Sequence, residues 1–169
     1  MSVFVESRIE FDFTNATSAT QHDQPVPGHG NSVWPGVDFC VHEGPEWIWL
    51  EVKNWNPVHL ATKNRGGNRW SFISKLKNKS FTKEIRDKFL GTTAFLAWRD
   101  IFPLAPTRFV LLFEPPHTLD AALLVTFQSR IKVQIPNLKT WREPIYVAVL
   151  DLAEWNRRYP DYPARLLEV

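Results

Sequence analysis

Cysteine, long apolar segments and an excess of one charge are all scarce in this chain. The only cysteine, Cys40, excludes an internal disulfide and fits a reducing compartment. No uncharged apolar run approaches the roughly 18 residues that a membrane-spanning helix needs, and the opening MSVFVESRIEFDF contains acids in place of the apolar stretch of a signal peptide. We therefore expect a soluble, cytoplasmic protein with no membrane partner.

The size and composition bound the architecture more tightly than the function. The formal net charge of +2 is too small to identify a partner, whereas 169 residues with 44% hydrophobic side chains can bury a substantial core. The sequence predicts a single domain over residues 1–169, with its core at 9–152, a loop at 14–36 and a C-terminal tail at 153–169.

The stretch from Val37 to Lys53, VDFCVHEGPEWIWLEVK, has the pattern of two strands joined by a turn. Apolar residues recur at every second position on both sides of Glu-Gly-Pro-Glu, and this tetrapeptide is typical of a turn. Glu51 and Lys53 share one face of the second strand, and the hairpin register can bring Asp38 to the same place. The sequence therefore predicts two carboxylates and an ammonium group close together.

These groups suit metal-dependent phosphate chemistry, although charges on a solvent-exposed strand face are the competing interpretation. Carboxylates are the oxygen ligands that Mg²⁺ or Mn²⁺ prefers, and a lysine can orient water or neutralise charge on a phosphate. Asp38 followed by Glu51-Val52-Lys53 resembles the D...(D/E)xK signature of the PD-(D/E)xK nuclease superfamily. Gly36-Val37 stands where that superfamily usually has a proline before the first acid.

The resemblance implies a Mg²⁺-dependent (or Mn²⁺-dependent) nuclease that hydrolyses phosphodiester bonds, with DNA favoured over RNA. It implies that Asp38, Glu51 and the backbone carbonyl of Val52 bind the metal, and that Lys53 orients the attacking water. Stand-alone members often pair to cut both strands, so a homodimer is a further expectation, although no residue pattern indicates its surface.

Many members of the superfamily have a further acid on a helix before the first core strand, and Glu6 and Glu10 are the candidates here. We favour Glu10 as an auxiliary catalytic acid because it lies within the regular alternation of Ile9 to Phe13, which predicts a strand. Residues 2–7 fit either a short helix or the beginning of that strand.

The segment that follows the hairpin is strongly basic. Residues 61–90 contain nine lysines and arginines against two acids, interleaved with tryptophan and phenylalanine. Basic and aromatic side chains together can bind a phosphate backbone and stack on bases, although a solvated helix face would look similar. The residues that we predict to bind nucleic acid are Lys63, Arg65, Arg69, Lys75, Lys77 and Lys83.

The remaining patterns define the fold class. They predict a helix over 80–100 with Ser80 or Thr82 as its N-cap, a strand over 107–114, a helix over 119–131, a strand over 146–152 and a short helix over 153–159. Strands that alternate with helices pair in parallel. We therefore predict an α/β fold in which a mixed sheet, flanked by helices, consists of an antiparallel N-terminal meander followed by αβαβ. The resemblance implies that this is a restriction endonuclease-like core.

Two other functions fit the same sequence. One is a catalytically inactive nucleic-acid-binding module with a nuclease-like fold, in which the basic segment does the binding. The other is a tryptophan-rich protein-interaction domain, because eight tryptophans are many for this length and tryptophan is favoured at interfaces.

Overall fold

The structure is a computed structural model that describes residues 2–22, 35–55, 74, 77–99, 107–115, 121–136 and 145–168. None of the helices in these ranges combines the length and apolar character needed to cross a membrane. The strands are β1 (Val3–Glu6), β2 (Ile9–Asp12), β3 (Ser18–Gln21), β4 (Phe39–Glu43), β5 (Glu46–Asn54), β6 (Thr107–Glu114), β7 (Tyr146–Leu150) and β8 (Ala164–Leu166). The helices are α1 (Lys79–Trp98), α2 (Ala121–Gln134) and α3 (Leu152–Arg158).

A five-stranded mixed sheet with the order β3-β4-β5-β6-β7 forms the centre of the fold. The pairs β3–β4 and β4–β5 are antiparallel, whereas β5–β6 and β6–β7 are parallel. Parallel neighbours need a long crossover, and α1 and α2 lie in the two crossovers. The predicted α/β class, with antiparallel strands followed by parallel ones, is therefore confirmed.

The turn between β4 and β5 sets the register of the predicted hairpin. It consists of Gly44 and Pro45, which lie between the paired residues Glu43 and Glu46. Gly44 has a φ of +53°, a left-handed conformation that glycine adopts without a Cβ clash. The ladder that starts at this turn extends to the pair Phe39 and Leu50.

The two faces of the central sheet are buried against different layers. One face packs against α1 and α2, in a core that includes Trp49, Phe89 and Phe127. The opposite face packs against α3 and a second sheet with the order β1-β2-β8, in a core that includes Phe11 and Trp155. Because both faces are covered, β5 and β6 are apolar along most of their length.

The N-terminal strand pairing differs from the prediction. The predicted strand over 9–13 corresponds to β2, which lies in the three-stranded antiparallel sheet between β1 and β8 and not in the meander. The edge strand of the meander is β3, which lies in the segment predicted to be a loop, 14–36. Its sequence, SATQ, has no large apolar residue, so periodicity could not reveal a strand that depends on backbone pairing with β4.

The short helix predicted over 153–159 corresponds to α3, and the segment predicted as a C-terminal tail, 153–169, also contributes the strand β8, which was not predicted. Trp155 on α3 is fully buried, and its indole Nε1 donates a hydrogen bond to the Tyr162 carbonyl at 2.7 Å. This hydrogen bond connects the segment after α3 to the aromatic core between the central sheet and the small sheet.

Helix α1 begins earlier than its predicted N-cap. Asn78 is the N-cap, with an extended backbone, and its side chain accepts a hydrogen bond from the Ser80 N–H at 2.9 Å. The predicted caps, Ser80 and Thr82, lie inside the helix, where the Thr82 hydroxyl donates to the Lys79 carbonyl. Asparagine is as good an N-cap as serine, so the local sequence contains several residues within one turn that could begin the helix.

Candidate functional site

Helix α1 holds the chain just before Asp38. A Cβ atom on Gly91 would lie 1.8 Å from the Pro35 carbonyl oxygen, so the backbone approaches the helix more closely than any side chain permits. The next residue, Thr92, accepts a hydrogen bond from the Val37 N–H at 2.9 Å and is fully buried. These contacts fix the start of the hairpin against the helix.

Asp38 and Glu51 face each other across β4 and β5. If the ladder that pairs Phe39 with Leu50 is continued by one residue, it pairs Asp38 with Glu51. Asp38 Oδ2 also accepts a hydrogen bond from the Val52 N–H at 2.6 Å. The structure therefore brings together the two acids that the sequence pattern singled out.

Two lysine ammonium groups contact the same oxygen of Glu51. Glu51 Oε1 lies 2.9 Å from Lys53 Nζ and 2.8 Å from Lys88 Nζ. Lys88 Nζ also lies 3.3 Å from Asp38 Oδ1, so this ammonium bridges the two acids. Lys53 Nζ lies a further 2.9 Å from Glu84 Oε1 on α1. The result is a network of three carboxylates and two ammonium groups.

Glu51 is the most deeply buried member of this network. Its exposed fraction is 0%, and that of Asp38 is 3%. Among the residues that the structure describes, none forms a hydrogen bond with Glu51 Oε2. A buried carboxylate oxygen without a partner is costly, and a cation bound in front of Oε2 would remove this cost.

The electrostatics favour a proton on Asp38 at neutral pH. Burial raises the pKa of Asp38 to about 8, the charges of Glu51 and Glu6 add to the shift, and Lys88 only partly offsets it. Burial also raises the pKa of Glu51, whose two ammonium neighbours oppose the shift. Paired acids with perturbed pKa values are typical of functional sites.

Both lysines remain charged in this environment. Burial by itself lowers the pKa of Lys53, but the carboxylates of Glu51 and Glu84 outweigh burial, and the pKa is raised. The same balance, with Glu51 and Asp38 as partners, raises the pKa of Lys88. Each ammonium is therefore suited to donate hydrogen bonds and to stabilise negative charge, and not to accept a proton.

The structure does not bring Glu10 to the acid pair. Glu10 lies on β2 in the small sheet, where its carboxylate forms an ion pair with Arg165 of β8 at 2.7 Å. Glu6, the other candidate, lies at the end of β1, and its charge acts on Asp38. Of the two candidate acids, Glu6 is therefore the one that influences the acid pair.

The turn between β1 and β2 explains the position of Glu6. Ser7 and Arg8 form this turn with φ values of +52° and +65°, which are uncommon for residues other than glycine. The Ser7 carbonyl accepts a hydrogen bond from the Asn54 side chain at the end of β5, at 2.7 Å. Because the sequence has no glycine or asparagine at 7–8, nothing in it signals that the chain reverses between the two candidate acids.

The donors present fit a hydrated divalent cation. Within the described ranges, no three Asp, Glu, His or Cys side chains form a group that could hold a metal ion. Mg²⁺, however, is commonly held by one or two carboxylates and keeps several waters, so Asp38 and Glu51 are sufficient. The N–H and C=O of a strand residue point to the same edge, so the Val52 carbonyl faces the side on which its N–H meets Asp38.

Sequence reasoning counted Lys88 and Glu84 only as charges in a basic segment. In the structure both belong to the network around Glu51 and Lys53. A signal for them exists, since they are four residues apart on α1 and directly precede Ile85 and Phe89, two positions of the apolar stripe. Charged residues at the border of such a stripe lie where a helix meets its sheet.

The residues predicted to bind nucleic acid are described only in part. Lys77 and Lys83 are exposed, near or within the first turns of α1. Four others lie outside the described residues: Lys63, Arg65, Arg69 and Lys75.

In the comparisons with known proteins, no family model, no curated protein and no solved structure matches this chain. The functional proposal below therefore depends on the residues of the site and on their geometry.

Proposed function

We propose that this protein is a Mg²⁺-dependent (or Mn²⁺-dependent) nuclease with a restriction endonuclease-like core that hydrolyses phosphodiester bonds of DNA. The single observation that carries the proposal is that two buried carboxylates lie together, since Lys88 Nζ contacts both Asp38 and Glu51 while Lys53 Nζ contacts Glu51. Lys88 and a proton on Asp38 offset part of the cost of burying two acids side by side, and hard oxygen donors of this kind select Mg²⁺ or Mn²⁺.

In this proposal Asp38, Glu51 and the Val52 carbonyl hold the cation. When bound, the cation supplies Lewis acidity towards a phosphate oxygen and lowers the pKa of water. Glu51 would hold the cation through its carboxylate, of which Oε1 already contacts two ammonium groups.

Lys53 acts as a charged donor in the same reaction. Its raised pKa keeps it protonated, so it orients the attacking water and stabilises negative charge that develops on the phosphate. Glu84 holds Lys53 from the other side through a 2.9 Å ion pair, which limits the positions that the ammonium group can take.

Lys88 acts as the internal counterion of the acid pair. Its ammonium group bridges Asp38 and Glu51 at 3.3 and 2.8 Å, so it lies where positive charge is needed before a cation binds. A cation held by Asp38 and Glu51 would compete with Lys88 for the same carboxylates.

Cleavage assays on Glu51→Gln, Lys53→Met and Glu10→Gln test this proposal. With a mixture of DNA and RNA substrates and Mn²⁺, we expect wild type to cut DNA, and the first two variants to lose at least about a hundredfold in rate. Glu10→Gln is the matched control, since it removes an acid whose partner is Arg165. Wild-type rates in Glu51→Gln, with circular dichroism showing a native fold, would disprove the assignment.

The same cleavage assay distinguishes the proposed nuclease from the alternative of a catalytically inactive nucleic-acid-binding module. It predicts nucleic-acid binding that depends on salt but not on divalent metal, with no cleavage of any substrate. The tryptophan-rich interaction domain has less support. Among the described tryptophans, Trp49, Trp55 and Trp155 are buried and therefore not available to a partner, whereas Trp98 is 69% exposed.

A further inference from the structure

A basic groove runs between α1 and α2, away from the acid pair. Its volume is about 940 Å³, and no acidic residue is among those that line it. The lining includes five basic residues, which are Lys77, Lys79, Lys83 and Arg86 on the side of α1 and Arg130 on α2. The groove is therefore a concentrated positive surface in a protein whose net charge is only +2.

Most of these charges are not neutralised by neighbouring acids. In the described part of the chain, Lys77, Lys79, Lys83 and Arg130 form no ion pair, while Arg86 pairs with the adjacent Asp87 at 2.8 Å. Unpaired ammonium and guanidinium groups that converge on one groove attract a polyanion and release its counterions when it binds.

The helical repeat relates this groove to the acid pair. On α1, Lys79, Lys83 and Arg86 are spaced by three or four residues and share one flank. Glu84 and Lys88 share another flank, and at about 100° per residue the two flanks lie on roughly opposite sides of the helix. The groove and the acid pair are thus separated by about one helix diameter, roughly 10–12 Å.

This separation suits one extended polyanion that contacts both places. In a nucleic acid duplex the two backbones are separated by grooves of about 6 and 12 Å, so one backbone can lie at the acid pair while another stretch of phosphates crosses α1. Val125 and Val133, exposed beside the basic residues, can contact the sugar rings of such a polyanion.

We propose that the groove between α1 and α2 binds the phosphodiester backbone of a nucleic acid at a distance of one helix diameter from the site of cleavage. This inference rests on the proposed function, since it names the surface that holds the substrate of that same site. Phosphate contacts of this kind position a nucleic acid without reading its sequence.

A charge-reversal pair tests the groove. Lys83→Glu/Arg130→Glu reverses one charge on each helix, and Arg99→Glu/Lys132→Glu is the matched control, at the C-cap of α1 and in the last turn of α2, outside the groove lining. Binding of a fluorescein-labelled DNA duplex is measured by anisotropy in EDTA at several salt concentrations, with Mn²⁺ titration calorimetry as a second readout on each variant.

We expect the groove variant to bind the duplex at least about tenfold more weakly and to retain wild-type Mn²⁺ affinity. The slope of log binding constant against log salt concentration should fall by about two, because two phosphate contacts are lost. The control should stay within about twofold of wild type. Equal losses in the two double variants would overturn the inference, even if Glu51→Gln abolishes cleavage. So would competition by polyglutamate as strong as that by unlabelled duplex, because the groove would then be a site for acidic proteins.

The experiments also show whether the proposed catalytic site fails while the groove proposal holds. If the groove variant loses DNA binding selectively while Glu51→Gln cuts at the wild-type rate, the groove holds nucleic acid and the proposed catalytic site is wrong.

Discussion

The two faces of the central sheet meet different demands. The face that packs against the small sheet is filled with apolar and aromatic groups such as Phe11, Phe39 and Trp155. The face that packs against α1 and α2 is equally apolar around Trp49, but near the end of β5 it buries Glu51 with two lysines. The first face contributes stability, whereas burial of the charged groups on the second costs stability.

Among the changes predicted here, loss of Trp155 from the apolar face should reduce the free energy of unfolding most. Trp155→Ala removes a fully buried indole and its hydrogen bond to Tyr162, so we expect the free energy of unfolding to fall by about 3–5 kcal/mol. Urea unfolding measures the change. Trp98→Ala, on an exposed residue, is the control and should change stability by less than about 0.5 kcal/mol. A loss below 1 kcal/mol, roughly, for Trp155→Ala would contradict this role of the apolar face.

Gly91→Ala should damage both the fold and the site. The added Cβ would lie 1.8 Å from the Pro35 carbonyl oxygen, so α1 or the chain that leads to Asp38 has to shift. We expect a loss of about 2–3 kcal/mol in unfolding free energy and weaker Mn²⁺ binding. Gly44→Ala is the control, because it is strained by its φ of +53° but meets no atom within 4 Å. It should lose about 1 kcal/mol and keep Mn²⁺ affinity.

Asp38→Asn should stabilise the metal-free protein at alkaline pH. The pKa of Asp38 is raised from 3.8 to about 8, so the folded state binds this proton more tightly than the unfolded state, and stability falls as pH rises between these values. Asparagine at this position does not titrate, so the variant does not lose this stability as the pH rises. Urea unfolding in EDTA should show a gain of several kcal/mol at pH 8 that shrinks towards zero near pH 4. A gain that is independent of pH would contradict a buried, titrating carboxyl.

Lys88→Met should give the smallest of the free-energy changes predicted here, measured as Mn²⁺ affinity and not as stability. Removal of the internal counterion leaves the acid pair free for a cation, so we expect Mn²⁺ affinity to increase about tenfold, which is about 1.4 kcal/mol. Titration calorimetry measures it. Lys83→Met, on the same helix but away from the acid pair, should bind Mn²⁺ as wild type does. Weaker binding by Lys88→Met would show that Lys88 supports the cation and does not compete with it.

The order of the later elements followed from periodicity alone. The predicted strand over 107–114 is β6 to the residue, and the predicted helix over 80–100 is α1 within two residues at its C-terminal end. These segments carry long, regular apolar patterns, which local sequence specifies well. The short strands β1, β3 and β8 carry little pattern of their own, so their pairing depends on partners that are distant in sequence.

The position of the auxiliary acid shows the limit of strand patterns. Glu10 belongs to a regular alternation and was favoured for that reason, but this alternation belongs to the small sheet. A strand pattern shows which side chains share a face and does not show which sheet contains the strand.

By itself, the sequence determined the hairpin and the approach of Lys53 to Glu51. Alternation and a Gly-Pro turn set the β4–β5 register, and this register is enough to bring Asp38 opposite Glu51, because pairing in a hairpin is local. The tertiary structure alone decided that Lys88 bridges these acids, that Glu6 influences them in place of Glu10, and that Gly91 holds the chain before Asp38. Each of these contacts joins residues far apart along the chain, and only the packing of α1 and the N-terminal hairpin against the central sheet brings them together.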